Sequence, residues 1–383
     1  MWSSQLYRQE GIAKGLEAQL IEDAIDQSEQ VLGAGLELPS ILSLNHLSER
    51  TGVGYEFLRS FVSRSPLPGV EDCEPYHKFS IRKRSGGRRF IHVPHPKLLY
   101  VQRWINLHIL KKVPVHPASQ AFNDGCSIRK CAAKHGGSAW LIKVDVADFF
   151  DSVSEIQVYR IFRELGYQPL VAFELARICT VATFWMSPRK RFPHWHSYSV
   201  NSEIEPYSQR LLGYLPQGAP TSPLLSNLVM RTPDAQLSSL AQDNGLVFTR
   251  YSDDLCFSSK DTGFGRKRSR EVIFEGYKIL SQAGYRPRHR KTTIVPPGGK
   301  KVVLGLNVDQ AMPRLQKSFK DRIRQHLYYL EKVGPIEHAS ARKFDSVWGL
   351  KSHVKGLIDF AKIIEPPYAK ACLDRFEAVD WPV

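Results

Sequence analysis

Residues 249–258 read TRYSDDLCFS. Two short runs rich in β-branched and aromatic residues, LVFTRY and LCFSS, flank the acids Asp253 and Asp254, which predicts two strands meeting through a tight turn. Adjacent carboxylates at such a turn repel each other unless cations neutralise them. About a hundred residues earlier, Ala139–Val146 read AWLIKVDV. There Trp140, Ile142, Val144 and Val146 alternate onto one face of a strand, with Lys143 and Asp145 on the other. If that strand neighbours the hairpin in one sheet, three carboxylates converge. Such a cluster suits Mg²⁺, which prefers oxygen ligands and leaves positions open for substrate phosphates. Two such ions about 4 Å apart activate an attacking hydroxyl and stabilise a leaving pyrophosphate.

The bulk composition agrees with an anionic partner. Lys and Arg number 53 against 38 Asp and Glu, a net charge of +15, and such an excess usually signals nucleic acid. A hydrophobic content of 42% supports a packed core and argues against a disordered chain. No run of eighteen apolar residues occurs, so no membrane span is expected. The opening MWSSQLYRQEGIAKG has no secretory signal pattern, and the cysteines at 73, 126, 131, 179, 256 and 372 are scattered, so reduced thiols in a cytoplasmic protein are expected.

Along the chain, apolar spacing predicts a helix from Gly11 to about Gln30 and helical structure over Ser40–Val62, where LNHLSERTGVGYEFLRSFV has a helix–turn–helix look; a packed helical lobe is the favoured reading. SPLPGVEDCEP reads as a linker, and the following segment as strand, Gly86–Gly87 turn and strand. Helices are predicted over 155–180 and 268–283, a long insertion over 184–214, and a strand at KVVLGLNVD. From Arg314 on, Leu315, Phe319, Ile323, Leu327 and Leu330 form one helical stripe, with Lys317, Lys320, Arg324 and Tyr328 beside it as a candidate phosphate-contacting face. The class is α+β.

VDVADFF, LPQGAPTSPLLSN and YSDD, in that order, resemble the three palm motifs of reverse transcriptases, and the resemblance runs from about Tyr76 to the end of the chain. It implies a right-hand polymerase fold: an N-terminal helical region and linker over 1–70, fingers and palm over 71–309, and a small helical thumb with RNA-binding function over 310–383. It implies that Asp145, Asp253, Asp254 and the carbonyl of Val146 hold two Mg²⁺ ions, with Mn²⁺ as the substitute ion. Phe150 falls at the steric gate that favours deoxynucleotides, with one of Phe149 and Phe150 expected in the core. Gln217 and Gly218 match the nucleotide-facing pair, Lys83 and Arg89 the triphosphate-holding positions, and Lys291 the lysine that protonates the leaving pyrophosphate.

Two further elements resemble those of the retron group. SIRKCAAKH matches an N-A-x-x-H element at Ala132 and His135, with Cys131 in place of Asn; VVLGLNV matches a V-T-G element at Val303 and Gly305, with Leu304 in place of Thr. The resemblance implies a cognate structured RNA as template and primer, deoxynucleotide substrates, a DNA product branched from a guanosine 2′-OH, and a role in bacterial antiphage defence with a separate effector protein. His135, Lys317, Lys320 and Arg324 are the candidate RNA contacts, with helix packing the alternative for His135. Other readings are another prokaryotic defence or intron-derived reverse transcriptase, and a nucleic-acid-binding protein without catalysis.

Overall fold

The computed structural model describes residues 3–64, 75–82, 86, 88–182 and 212–382; the linker 65–74, Lys83, Gly87 and nearly all of the 184–214 insertion lie outside the described residues. In chain order the elements begin with α1 (Ser4–Ala13), α2 (Ala18–Gly33), α3 (Leu44–Thr51), α4 (Tyr55–Ser63), β1 (Tyr76–Arg82), β2 (Arg88–Pro94) and α5 (Pro96–His108). Next come α6 (Ile128–Ala133), β3 (Trp140–Asp145), α7 (Phe149–Ser152), α8 (Glu155–Glu164), α9 (Pro169–Cys179), β4 (Val181–Ala182), β5 (Gly213–Tyr214), α10 (Ser222–Val229) and α11 (Arg231–Asp243). The chain continues through β6 (Val247–Tyr251), β7 (Asp254–Ser259), α12 (Gly265–Gln282), β8 (Thr293–Val295), β9 (Val302–Val303), β10 (Leu306–Asn307) and β11 (Arg314–Leu315). It ends with α13 (Lys317–Ala341), α14 (Val347–Ile364) and α15 (Pro366–Glu377). Helices and strands mix without βαβ alternation, as the α+β class requires.

Two compact units divide the chain, unit 1 taking Met1–Asp124, Asp145–Ser238 and Gly276–Arg288, and unit 2 taking Gly125–Val144, Ser239–Glu275 and His289–Val383. In unit 1 the single helix expected over 11–30 is instead a hairpin of α1 and α2. Gly15 reverses the chain at a φ of 70°, and Gly11 lies so close to Ile21 that a Cβ there would come within 2.7 Å of its Cδ1. The helix expected over 155–180 likewise breaks into α8 and α9 at Gly166, where a Cβ would lie 2.7 Å from the Gln30 carbonyl oxygen. The 44–63 segment is a packed lobe: Leu44, Leu47, Leu58 and Val62 are buried, while the Tyr167 hydroxyl and Gln168 Nε2 donate to the carbonyls of Pro39 and Leu42 just before it. Strands β1 and β2 form an antiparallel hairpin from Tyr76↔Pro94 to Arg82↔Arg88.

Unit 2 is built on a four-stranded sheet of order β6-β7-β3-β8. Register runs Val247↔Ser258 to Tyr251↔Asp254 in the first pair and Leu141↔Val295 to Lys143↔Thr293 in the last. The Ala139 amide donates to the Ser259 carbonyl at 2.7 Å, so β3 starts beside the end of β7 and runs antiparallel to it. The strand expected at KVVLGLNVD folds instead into the hairpin of β9 and β10. Its turn residues Leu304 and Gly305 both take positive φ, 48° and 81°, the requirement of a type I′ turn. Leu315, Ile323, Leu327 and Leu330 of the predicted stripe are buried against Leu350, Val354 and Ile358 of α14 and Phe376 of α15, in one core with Val303 and Leu306.

Candidate active site

In unit 2, β6 and β7 are closed by a two-residue turn, with Ser252 and Asp253 between the paired Tyr251 and Asp254. Ser252 takes a φ of 58°, a conformation glycine adopts without strain and serine adopts at a cost of about 1–2 kcal/mol. Such strain persists only where surrounding groups fix it. One does: Arg250, fully buried, donates from Nη1 to the Ser252 carbonyl at 3.1 Å. Asp253 and Asp254 are half-exposed at the tip of this braced hairpin.

On one face of the hairpin the alternation of β-strand side chains brings together Thr249 and Tyr251 from β6 with Asp254, Cys256 and Ser258 from β7. The CAAKH element lies against that face. His135 Nε2 is 2.7 Å from Thr249 Oγ1, its Nδ1 is 2.7 Å from Ser258 Oγ, and Cys131 Sγ donates to the same Thr249 oxygen at 3.5 Å. Burial pushes the His135 imidazole down to about 4, so the ring is neutral at ordinary pH. His135 is 1% exposed with both nitrogens engaged by hydroxyls of β6 and β7, so the structure places this candidate RNA contact in the core. A small pocket beside Asp254 is lined by Lys143, Tyr251, Cys131 and Leu304 among others. The two residues that depart from the retron-like elements therefore meet at one place.

Unit 1 holds Asp145, Val146, Phe150, Gln217, Gly218 and Arg89. Asp145 is the last residue of β3 and is buried, its carbonyl accepting the Arg288 amide at 2.7 Å. Arg288 Nε stands 3.4 Å from Asp145 Oδ1, and its Nη2 stands 3.7 Å from Asp148 Oδ1. This guanidinium was not anticipated; the only sign of it was the basic turn YRPRHRKTT. Val146 bridges to Pro287 through bonds of the flanking residues, Ala147 to Arg286 and Arg288 to Asp145, so that bridge leaves the Val146 carbonyl unused and asks no N–H of the proline. Phe149 is in the core beside Tyr285, whereas Phe150 is half-buried with its ring centroid 6.2 Å from that of Phe122. The Gln217 carbonyl accepts the His92 amide at 2.7 Å, and Gly218, at a φ of 118°, packs so tightly that a Cβ would lie 2.7 Å from the His92 carbonyl oxygen. Arg89 is exposed on β2 opposite Ile81.

Lys291 is exposed in the short turn His289–Lys291 of unit 2. On α13, Lys317 and Arg324 are exposed, the latter 3.0 Å from Asp321. Lys320 corrects the basic stripe: its Nζ lies 2.5 Å from Glu365 and 5.0 Å from the Tyr368 ring centroid, so its charge is already neutralised within the helical bundle.

The donors at Asp145, Val146, Asp253 and Asp254 are all carboxylate or carbonyl oxygens, the set that a hard divalent ion takes. Among the described residues no three His, Cys, Asp or Glu side chains form a metal-holding group by themselves.

Residues 81–308 match the family described as reverse transcriptase (RNA-dependent DNA polymerase). The chain is 31% identical over 333 residues to the retron Mx65 reverse transcriptase of Myxococcus xanthus, covering 85% of this chain and 69% of that one. It is 27% identical over 345 residues to the retron Ec86 reverse transcriptase of Escherichia coli (89% and 95%), and 30% identical over 336 residues to the retron Ec73 enzyme of the same species (84% and 92%). A motif order read from the sequence, an acid-tipped hairpin beside the strand that ends in Asp145, and matches along most of the chain agree. The chain belongs to the reverse transcriptases of the retron type, and it is an RNA-directed DNA polymerase.

Proposed function

We propose that Asp145, Asp253 and Asp254 act together as the metal-binding carboxylates of a two-ion polymerase, with the Val146 carbonyl as a further ligand. The observation that carries this is the strand order: β3, ending in Asp145, is the antiparallel neighbour of β7, which opens at Asp254. A bound pair of Mg²⁺ or Mn²⁺ ions would activate the attacking hydroxyl and stabilise the leaving pyrophosphate. The chain's own residues do the rest. Arg89 and Lys83 hold the incoming triphosphate by charge, and Gln217 with Gly218 offers close backbone approach to the nucleotide. Phe150 stands where a ring excludes a 2′-hydroxyl, and Lys291 donates a proton to the leaving group. Arg288 moderates the charge on Asp145 before substrate arrives.

In this reading residues 1–70 are an N-terminal helical region, 71–309 fingers and palm, and 310–383 the thumb. The enzyme works in the bacterial cytoplasm on its cognate structured RNA, priming from a guanosine 2′-OH to make a branched, multicopy single-stranded DNA. It serves antiphage defence with a separate effector protein. Lys317 and Arg324, both exposed on α13, are candidates to meet RNA phosphates. The names of the three relatives given above, each a retron reverse transcriptase, support the RNA and product. Expression of the gene with its flanking sequence tests the reading: a small DNA sensitive to debranching enzyme is expected. A linear product unaffected by debranching favours a different class of reverse transcriptase.

A further inference from the structure

We propose that the CAAKH segment is a brace for the carboxylate hairpin, and that His135 is a positioning residue that holds Asp253 and Asp254 in register by tying β6 to β7 through Thr249 and Ser258. This rests on the reading of those aspartates as metal ligands. The geometry is specific. Thr249 pairs with Cys256 and Val247 with Ser258, so Thr249 and Ser258 stand diagonally across the two strands on one face. A single imidazole reaches both hydroxyls at 2.7 Å, one from each ring nitrogen. β6 is the edge strand of the sheet and is held to β7 by backbone ladder bonds; a side chain anchored to both strands resists splaying of that edge.

The bonding capacity closes. A neutral ring donates through one nitrogen and accepts through the other. The Cys131 thiol donates to Thr249 Oγ1, leaving the Thr249 hydroxyl proton for His135 Nε2 and the Nδ1 proton for Ser258. An Asn at position 131 would donate to the same hydroxyl through its amide, so the exchange of Asn for Cys keeps the donor while making it weaker. Asp254 and Cys256 lie on the same face of β7 as Ser258, so displacement of the brace is passed along one row of side chains to the carboxylate. Arg250 acts at the other end, on the Ser252 carbonyl of the strained turn. Together they hold a tip where two like charges adjoin.

The test uses the full-length protein with its own RNA. Thr249→Val removes the hydroxyl at constant volume, Thr249→Ser keeps it, and His135→Gln replaces the ring. Supporting outcomes are a fall of about 10-fold or more in kcat for Thr249→Val, corrected for folded fraction, with KM for deoxynucleotide and RNA affinity within about twofold. Mn²⁺ affinity, read by electron paramagnetic resonance without turnover, weakens in parallel. Thr249→Ser restores both, and His135→Gln combined with Thr249→Val is no worse than the poorer single variant. A lowered melting temperature with unchanged kcat per folded molecule and unchanged Mn²⁺ affinity overturns the proposal, as does a selective loss of RNA affinity in His135→Gln. Asp253→Asn run alongside separates the two claims. If it polymerises normally, the carboxylate assignment fails; if it is inactive while Thr249→Val is normal, only the brace fails.

Discussion

Glu155 opens α8 and is 3% exposed, and its carboxylate gathers four donors in unit 1. Arg64 Nη2 contacts Oε2, the Gly213 amide donates to Oε2 at 2.9 Å, the Thr180 hydroxyl at 3.2 Å, and Arg177 Nε donates to Oε1 at 3.1 Å. Both guanidinium side chains are also buried, so one anion compensates two cations. Glu155→Gln keeps the shape, removes the charge and turns an amide N–H₂ toward the donors. Removing one partner of a buried pair costs roughly 3–5 kcal/mol, and two stranded cations argue for the upper end. At roughly 2–4 °C per kcal/mol for a body of this size, the melting temperature falls by roughly 10–20 °C. The chemistry suffers too, because Gly213 leads through Tyr214, bridged to Ser154, and Leu215, whose amide donates to Val153, into the Gln217–Gly218 loop. Calorimetry at neutral pH with steady-state kinetics measures both. Arg231→Gln, which breaks the largely exposed Arg231–Glu164 pair of unit 1, serves as control and costs at most about 1 kcal/mol. A Glu155→Gln protein melting within about 2 °C of the parent would refute the reasoning.

Phe150→Ala opens the space beside the sugar and raises relative ribonucleotide use, as the ratio of kcat/KM for ribo- over deoxynucleotide, by about tenfold or more; an unchanged ratio removes the gate. Acid should destabilise the protein through His135 and His326, both held down to about 4 by burial, with His338 and His353 adding to the effect at His326. A folded-state value below the ordinary 6.5 means the neutral form is favoured by folding, so this stability is complete above pH 6.5 and is lost as pH falls toward 4. The loss is on the order of 2–3 kcal/mol for each ring, and a urea midpoint that stays flat between pH 7 and pH 4.5 contradicts it.

The hairpin carrying Asp253 and Asp254 was legible because strand alternation and a two-residue turn are local signals, and Asp145 was legible because its strand alternates too. What escaped was decided by distant partners. His135 sits in a polar stretch, SIRKCAAKHGG, and nothing local announces hydroxyl partners 114 and 123 residues away. Lys320 looked like its neighbours Lys317 and Arg324 until Glu365, on the far side of α14, claimed its charge. Gly15 and Gly166 interrupt helical patterns whose apolar spacing continues past them, so periodicity alone joined what the backbone separates. The run Val302-Val303-Leu304 reads as strand by composition, yet Leu304 with Gly305 makes the turn.

The central claim is that the acids of the YSDD turn, with Asp145, carry the polymerisation chemistry. Its most direct test is the rate of DNA synthesis on the cognate RNA by purified Asp253→Asn protein, across a Mg²⁺ titration and with melting temperature checked against the parent. The account predicts a folded protein whose rate is lower by roughly 10²–10³-fold or more at every Mg²⁺ concentration. A folded Asp253→Asn protein that copies RNA at the parental rate would contradict it.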